Sequence, residues 1–390
     1  MITLHLKPNR QKRIKDGHLW AFAGEIAENL KGLEPGDKIA LCSSNGRLLG
    51  HGYVNPNSLI AVRLITRGGV KWDDDLLRTR IKSAVRYREL VCPGWDAMRL
   101  IYSESDGVPG LIVDKYMDHL ILQSLTAGIE KQLDTLVGLL TEIVKPESII
   151  LKGDNPFRKL EGLSTEDRQL LGTTPDHIEF HEGKAVFSAR PVSGQKTGFF
   201  LDQRMNRQML KEFVSGTRVL DLYSYSGSWG ISSILFGAKN AVMVDSSASA
   251  LARGAEDAKA NSVTDKCSFV KSDVSDFLKK LEEKKDLFDV VILDPPALVK
   301  SRASLNDGSL LYGRIHDKAL RIVKPGGILI SCSCSHLLTQ EKHLAIIGKA
   351  AARSGRNIRL IKKGGHSPDH PILPGHPETE YLKCWFLQCD

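Results

Sequence analysis

The amino-acid sequence predicts an α/β protein whose C-terminal half is a Rossmann-like, doubly wound domain, preceded by a small β domain and a central α+β domain. Its 390 residues are too many for one ordinary hydrophobic core. Short strand-like runs separated by turn signals fill residues 1–70, and apolar runs alternate with helical segments after residue 190. We therefore place the domains at 1–70, 71–188 and 189–390.

The N-terminal segment is predicted to be a small β domain with a basic surface. Strand-like runs at 39–42 and 59–65 lie among the turn signals at 34–37, 44–46 and 55–57. Ten of its residues are Lys or Arg and five are Asp or Glu, so it holds +5 of the chain's net charge of +8. This charge suits an anionic partner such as nucleic acid, and a solvated basic surface is an equally good interpretation. The candidate nucleic-acid contacts are Lys7, Arg10, Lys12 and Arg13.

The central segment is predicted to mix helices and strands. A helix with a basic face fits residues 72–89, and an amphipathic helix fits 130–143. Strands fit 120–123 and 148–151. This α+β unit contains no catalytic signature, so the chemistry is expected in the segment that follows.

The C-terminal segment alternates five strand-like runs with helical ones. The runs are 218–223, 241–245, 268–271, 289–294 and 327–331. Such alternation predicts a parallel sheet with helices on both faces. In such sheets ligands bind at the carboxyl ends of the strands, which is where we look for a site.

Carboxylates stand where four of these strands end, at Asp221, Asp245, Asp273 and Asp294. Asp245 can accept both ribose hydroxyls of an adenosine-bearing ligand, Asp273 can accept from the adenine amino group, and Asp221 lies near an amino acid portion. Gly227 lets backbone approach the ligand, but the loop lacks G-x-G-x-x-G, so a dinucleotide is not supported. One such Asp is more often a helix N-cap, but four in register favour S-adenosylmethionine as the cofactor.

Two short motifs after the fourth and fifth strands carry the predicted chemistry. The turn Asp294-Pro295-Pro296 can present a carboxylate and carbonyls to a planar base. Cys334 follows the fifth strand, and a thiolate that adds to C6 of a pyrimidine makes C5 nucleophilic toward a methyl sulfonium. Cys332 fits a buried core position better. We expect no metal site, because this C-x-C has no further ligands at suitable spacing.

The segment 195–204 joins a cation, an aromatic pair and a carboxylate just before the first strand of the doubly wound sheet. We expect it to close over the cofactor or to stack a base, with Lys196, Phe200 and Arg204 as RNA contacts. The alternative is the ordinary start of a connecting helix.

A series of motifs runs in one order along the chain. They are Gly17–Gly24, Glu104–Gly110, Val113–Asp114, Gln195–Arg204, Val219–Gly227, Val244–Ser246, Leu293–Pro296, Ser333–Ser335, Asp369–Pro371 and Tyr381–Lys383. Together they resemble the RlmI-type ribosomal RNA large-subunit methyltransferases, over essentially the whole chain. Each motif is unspecific alone, and their combination is specific.

The resemblance implies a PUA domain, a central α+β domain and a class I methyltransferase domain. It implies methyl transfer from S-adenosylmethionine to cytosine C5 of large-subunit (23S) ribosomal RNA, with Cys334 as nucleophile and Asp294 holding the base. A two-cysteine cycle is not supported, because Asp294 occupies the position before Pro295. The second thiol, Cys332, and the bulky Trp229 depart from the pattern. The cofactor contacts expected are Asp221, Tyr223, Ser224, Tyr225, Gly227, Asp245, Ser246, Asp273 and Val274.

The remaining composition is typical of a cytoplasmic protein without a membrane partner. The seven cysteines lack paired spacings, no run of eighteen apolar residues occurs, and no signal-peptide pattern is present. A homodimer stays open. Two other functions also stay open, an amino-group methyltransferase and a non-catalytic RNA-binding assembly factor; a nicotinamide oxidoreductase is disfavoured by the missing glycine pattern.

Overall fold

The computed structural model describes residues 1–194 and 197–390, which divide into two compact units. The first comprises Met1–Phe180, Ala189–Leu201 apart from residues 195 and 196, and Pro368–Thr379. The second comprises His181–Ser188, Asp202–Ser367 and Glu380–Asp390. Among the described residues, no helix combines the length and apolar character needed to cross a membrane. The domain boundaries near 70 and 188 stay a prediction.

The N-terminal sheet of the first unit has five strands, in the order β1 (Ile2–His5), β3 (Asp37–Cys42), β4 (Leu48–Val54), β5 (Val62–Leu64) and β2 (Trp20–Ala21). Its apolar side chains, such as Leu4, Ile39 and Val62, are buried in one core. The predicted strand at 59–65 is shorter in the structure, where it keeps only the three residues of β5. The short helix α1 spans Lys12–Lys15.

The second sheet of this unit packs against two long helices. Its strands lie in the order β10 (Arg168–Leu171), β9 (Ser148–Leu151), β8 (His119–Ser124), β7 (Leu111–Tyr116) and β6 (Ala97–Tyr102). The first of these helices is capped by Asp73, whose carboxylate accepts from the backbone N–H of Leu76, and it buries Leu77 and Ile81. The helices are α2 Asp74–Val91, α3 Ala127–Glu130, α4 Leu133–Val144 and α5 Pro156–Leu160.

A hairpin and a seven-stranded sheet complete the fold. The hairpin pairs β11 Ile178–Glu182 with β12 Ala185–Ala189. The strands of the large sheet are β13 Arg218–Leu222, β14 Asn240–Asp245, β15 Cys267–Lys271, β16 Phe288–Leu293, β17 Val323–Ser333, β18 Ile358–Gly364 and β19 Lys383–Cys389. The helices are α6 Arg204–Met209, α7 Ser228–Leu235, α8 Ala248–Ala260, α9 Val274–Lys284, α10 Leu305–Ile322 and α11 Gln340–Arg353.

The large sheet confirms the predicted doubly wound α/β fold. Its order is β15-β14-β13-β16-β17-β19-β18, and the first five strands run parallel. The central strands β13 and β16 are apolar runs that are almost fully buried, as parallel strands covered by helices require, whereas the edge strand β15 is partly exposed. Only β19 is reversed in this sheet, because it is antiparallel to both β17 and β18.

A buried ion pair ties the hairpin segment to α6 inside the second unit. The Glu182 carboxylate accepts from Arg207 Nη2 at 2.6 Å and from Arg204 Nε at 3.2 Å, and all three side chains are buried. Burial alone would raise the pKa of Glu182, but the two guanidinium groups outweigh it and hold the pKa below its usual value. This pairing corrects the expectation for Arg204, which lies inside the protein as an ion-pair partner and not on an RNA-facing surface.

Replacing Glu182 with Gln should lower the free energy of unfolding by about 3 kcal/mol, because it leaves two guanidinium groups buried without their anion. Urea denaturation measures this loss. The matched control is Glu179→Gln on the same strand, whose side chain is exposed and should matter little. Equal stability of the two variants would show that the ion pair contributes nothing.

Candidate active site

The parallel register gathers the predicted carboxylates at one edge of the sheet. Asp221 lies in β13 opposite Met243 of β14 on one side and Ile292 of β16 on the other. Asp245 is the last residue of β14, and Asp294 directly follows β16. The carboxyl ends of parallel strands are where doubly wound folds bind ligands.

Asp221 is a fully buried carboxyl at the centre of this edge. Its Oδ2 accepts from the backbone N–H of Gly230 at 3.0 Å, while its buried Oδ1 has no hydrogen-bond partner among the described residues. Burial raises the pKa of Asp221 well above its usual value, and the charges of Asp294 and Asp245 add to the rise. The site therefore offers one buried acceptor that a ligand donor or cation can satisfy.

The loop after β13 is held in an unusual backbone conformation. Tyr223 and Tyr225 have φ values of 60° and 52°, and Gly227 has 74°. The Ser224 N–H donates to Val244 O at 3.1 Å, and the buried Ser224 Oγ has no partner among the described residues. Burial raises the pKa of Tyr223 to about 12. Left-handed tyrosines of this kind persist only where surrounding structure imposes them, and they cluster at ligand sites.

Asp245 fixes this loop from the neighbouring strand. Its Oδ2 accepts from the Tyr225 N–H at 2.9 Å and its Oδ1 accepts from the Ser247 N–H at 2.8 Å. The side chain stays partly exposed, so the remaining lone pairs of both oxygens can accept from ribose hydroxyls. The guanidinium of Arg253 lies 5.0 Å from the Tyr225 ring centre, and Ser246 is exposed.

Asp273 takes the role that the sequence argument gave as its alternative, a helix N-cap. Its Oδ1 accepts from the N–H groups of Ser275 and Asp276 at the start of α9. The side chain is exposed, and Val274 beside it is buried in the core. Capping leaves the second oxygen of Asp273 as the atom with which it could meet an adenine amino group.

Asp294 is held by two donors that the sequence did not assign. Its Oδ2 accepts from Gln203 Nε2 at 2.9 Å and from Trp229 Nε1 at 3.1 Å. The size of Trp229 thus has a reason, since its indole N–H reaches across from α7 to the end of β16. Gln203 lies in the segment 195–204, which the sequence analysis had named as a candidate part of the site without giving Gln203 a role.

The two thiols of the C-x-C motif differ in their surroundings. Cys332 is fully buried opposite Cys384 of β19, with 3.4 Å between the sulfur atoms. Burial raises the pKa of the Cys332 thiol well above its usual value, and Cys384 adds to the rise. Cys334 directly follows the end of β17 at Ser333 and is partly exposed. Burial makes Cys332 a poor nucleophile, which leaves Cys334 as the reactive candidate.

A buried series of hydrogen bonds joins Ser331 of β17 to histidines of α10 and α11. His316 Nε2 lies 2.7 Å from Ser331 Oγ, which lies 3.3 Å from His343 Nε2, and His343 Nδ1 accepts from the indole N–H of Trp385 at 2.9 Å. Burial lowers the pKa of His316 to about 4 and that of His343 well below its usual value, so both rings are neutral. These hydrogen bonds fix the strand that ends at Cys334.

The predicted RNA contacts of the first unit lie at its surface. Lys7, Arg10 and Lys12 are exposed, and Arg13 is partly exposed with its guanidinium 2.9 Å from Glu25 Oε2. A cleft of about 400 Å³ is lined by Arg10, Lys12 and Arg13. Phe200 is partly buried, and Lys196 lies outside the described residues.

A histidine cluster that the sequence did not reveal lies beside this cleft. His18, His376 and Glu378 each place one candidate ligand atom within 4.8 Å of the others. Backbone N–H groups point at Nδ1 of both rings, at 3.1 Å and 3.5 Å. Because each Nδ1 accepts a hydrogen bond, Nε2 of each ring is the atom that faces Glu378, and a metal would have to compete with that carboxylate for it. We therefore interpret the cluster as an internal hydrogen-bonded group.

Comparison with known proteins gives matches over the whole chain. Residues 4–67 match the model of a PUA-like domain, and residues 174–374 match that of an S-adenosylmethionine-dependent methyltransferase. Ribosomal RNA large subunit methyltransferase I of Aeromonas hydrophila is 35% identical over 389 residues, which cover 98% of each chain. The protein of the same name from Photobacterium profundum is 34% identical with the same coverage.

Two solved structures share the fold over the full length. A putative SAM-dependent methyltransferase from Streptococcus mutans superposes with a TM-score of 0.86 at 20% identity and covers 100% of both chains. A putative methyltransferase complexed with SAH superposes with a TM-score of 0.87, also at 20% identity and with full coverage. At this level of sequence identity, both superpositions show that the fold is shared.

Replacing Gly254 of α8 with Ala should weaken cofactor binding. A Cβ atom there would lie 2.5 Å from the carbonyl oxygen of Ser226, so the loop after β13 must move. Isothermal titration with S-adenosylhomocysteine should show a dissociation constant raised about tenfold or more, equivalent to about 1.4 kcal/mol. Gly348→Ala in α11 is the control, because no atom lies within 4 Å of its Cβ position. Unchanged affinity in the Gly254 variant would contradict this account of the loop.

Acidification should destabilise the second unit through its buried histidines. The unfolded chain protonates His316 near its usual pKa of 6.5, whereas the folded protein excludes the proton until about pH 4. The unfolded state therefore binds more protons in this window, and the free energy of unfolding should fall as pH drops from 6.5 towards 4. Denaturation at a series of pH values should show a shallower fall in His316→Asn and an unchanged fall in the exposed-site control His177→Gln.

Proposed function

The chain belongs to the family of ribosomal RNA large subunit methyltransferase I, and on this premise we propose that it methylates cytosine C5 in large-subunit ribosomal RNA. The methyl donor is S-adenosylmethionine. The observation that carries the proposal is Cys334, a partly exposed thiol directly after β17, at the strand-end edge that also holds Asp221 and Asp294. A thiol is needed for C5 chemistry and not for methylation of an amino group, so its position favours the pyrimidine carbon.

The residues at the sheet edge fit S-adenosylmethionine. Buried Asp221 Oδ1 and Ser224 Oγ are polar atoms without a partner among the described residues, and the cofactor's ammonium and hydroxyl groups can satisfy such atoms. Asp245 would accept from the ribose and Asp273 from the adenine, while the loop at Tyr223 to Gly227 would lie against the cofactor. When bound, the cofactor supplies an electrophilic methyl group.

The target base must leave its stack to reach this edge, as for other enzymes that act on bases. Asp294 is held in place by Gln203 and Trp229 and can orient the cytosine through its ring nitrogen or amino group. The Cys334 thiolate would bond to C6, and the electron pair of the C5–C6 double bond would then bond C5 to the methyl group as the methyl–sulfur bond of the donor breaks. Transfer of the C5 proton to a base would re-form the C5–C6 double bond, break the C6–sulfur bond and release the thiolate.

The first unit would dock the RNA through its basic surface. Lys7, Arg10 and Lys12 are exposed there, and two of them line the cleft described above. Contacts between such cations and phosphates release counterions, so binding should weaken as salt rises. We also infer a cytoplasmic setting, because none of the seven cysteines, all among the described residues, forms a disulfide, and reduced thiols persist in reducing compartments.

Cys334→Ala should lose methyl transfer and keep cofactor binding, because it removes only the atom that bonds to C6. The assay is transfer of labelled methyl groups to ribosomal RNA from cells that lack this protein, followed by nucleoside mass spectrometry. We expect 5-methylcytosine with the wild-type protein and a fall in rate of at least about 10³-fold in the variant.

The matched control is Cys332→Ala, which removes the buried neighbour and should retain transfer. Full activity of Cys334→Ala would exclude the thiol adduct. A product methylated on the cytosine amino group would instead favour the amino-group methyltransferase, and cofactor binding without transfer to any RNA would favour the assembly factor.

A further inference from the structure

Lys383 is a buried lysine beside the candidate nucleophile. It is the first residue of β19, pairs in register with Ser333 at the end of β17, and is only 4% exposed. Its Nζ donates to the carbonyl oxygens of Ser335 and Tyr381, each at 2.7 Å. The ammonium is thus fixed between the loop that begins at Cys334 and the segment that precedes β19.

The charge of Lys383 has no buried carboxylate to balance it among the described residues. Glu380 acts on it from a distance, but Glu380 is exposed and its Oε1 accepts from Gln340 Nε2 at 2.8 Å. Burial lowers the pKa of Lys383 to about 8, and a thiolate at Cys334 opposes this fall more strongly than Glu380 does. A buried cation is costly without an anion nearby, and Cys334 is a candidate for that anion because it lies between Ser333, which pairs with Lys383, and Ser335, whose carbonyl accepts from it.

The other polar groups around this pair cannot supply the missing charge. The Tyr312 hydroxyl contacts Ser333 Oγ at 2.9 Å and Ser335 Oγ at 3.2 Å, and burial raises the pKa of Tyr312, so it is neutral. His343 also interacts with Lys383 and is neutral for the reason given above. The side chain of Asp294, near the strand end, already accepts hydrogen bonds from both donors described above. Two of the three N–H bonds of Lys383 are used by carbonyls, which leaves one N–H for a further acceptor.

We propose that Lys383 is a positioning residue that holds Cys334 in the thiolate form. Electrostatic coupling is reciprocal, so a sulfur anion that stabilises the ammonium is stabilised by it to the same extent. The use of this thiolate to attack C6 rests on the proposed function, whereas the coupling between the two side chains does not. In this arrangement β19, the antiparallel strand, contributes a charge to the site at the end of β17.

The test measures the reactivity of Cys334 without any methyl transfer. Purified full-length protein is alkylated with iodoacetamide over a series of pH values, and the rate at the Cys334 peptide is followed by mass spectrometry. We expect the wild-type midpoint to lie below about 8.5, the value for a free cysteine. Lys383→Met should raise the midpoint by about one pH unit or more. Lys383→Arg keeps the charge and should restore most of the wild-type profile.

One control variant and one kinetic measurement test whether the effect comes from the charge of Lys383. Glu380→Gln removes the exposed carboxylate and should leave the alkylation midpoint almost unchanged. Methyl transfer by Lys383→Met should fall in kcat at neutral pH and recover as pH rises, with the KM for S-adenosylmethionine unaltered.

A wild-type midpoint at or above that of free cysteine would overturn the proposal, and this measurement needs no variant to fold. Equal midpoints for wild type and Lys383→Met would overturn it as well. If Cys334→Ala instead stays active in methyl transfer, the adduct is excluded, while a shifted alkylation midpoint would still establish the coupling.

Discussion

The parallel register of β13, β14 and β16 brings acidic side chains to one edge of the sheet, and the chemistry proposed here depends on that constraint. Because Asp221 lies between its two neighbouring strands, the ends of those strands deliver Asp245 and Asp294 to its surroundings. Like charges so placed disfavour ionisation, which is part of why the pKa of Asp221 is raised. The edge is therefore an acceptor-rich pocket that becomes more favourable when a cationic ligand enters.

Backbone N–H groups and side-chain donors offset this concentration of acceptors. The left-handed turn at Tyr223 and Tyr225 directs the Tyr225 N–H to Asp245, and α7 directs the Gly230 N–H to Asp221. Gly254 lets α8 lie against that turn, since any side chain there would meet Ser226. Strain in the loop is thus maintained by hydrogen bonds to the very carboxylates that a cofactor would contact.

The sequence predicted the fold well because apolar runs bounded by turn signals are a local property. The five parallel strands and the acidic residues at their ends follow from hydrophobic periodicity alone. Arg204 was expected on an RNA-facing surface because its charge is visible in the sequence, whereas its partner Glu182 is 22 residues away and joined to it only by the fold. The roles of Gln203, Trp229 and Lys383 were not predicted for the same reason, since each acts through a contact that tertiary structure creates.

The choice between the two thiols shows how the end of a strand changes chemistry. Residues two apart in a strand share a face, so Cys332 and Cys334 would have equal surroundings if β17 continued. The strand instead ends at Ser333, so Cys332 stays in the ladder opposite Cys384, and Cys334 leaves it. The next strand in the sheet, β19, begins at that level with Lys383. A thiol that has left the core beside a buried cation is suited to carry negative charge, and a thiol within the ladder is not.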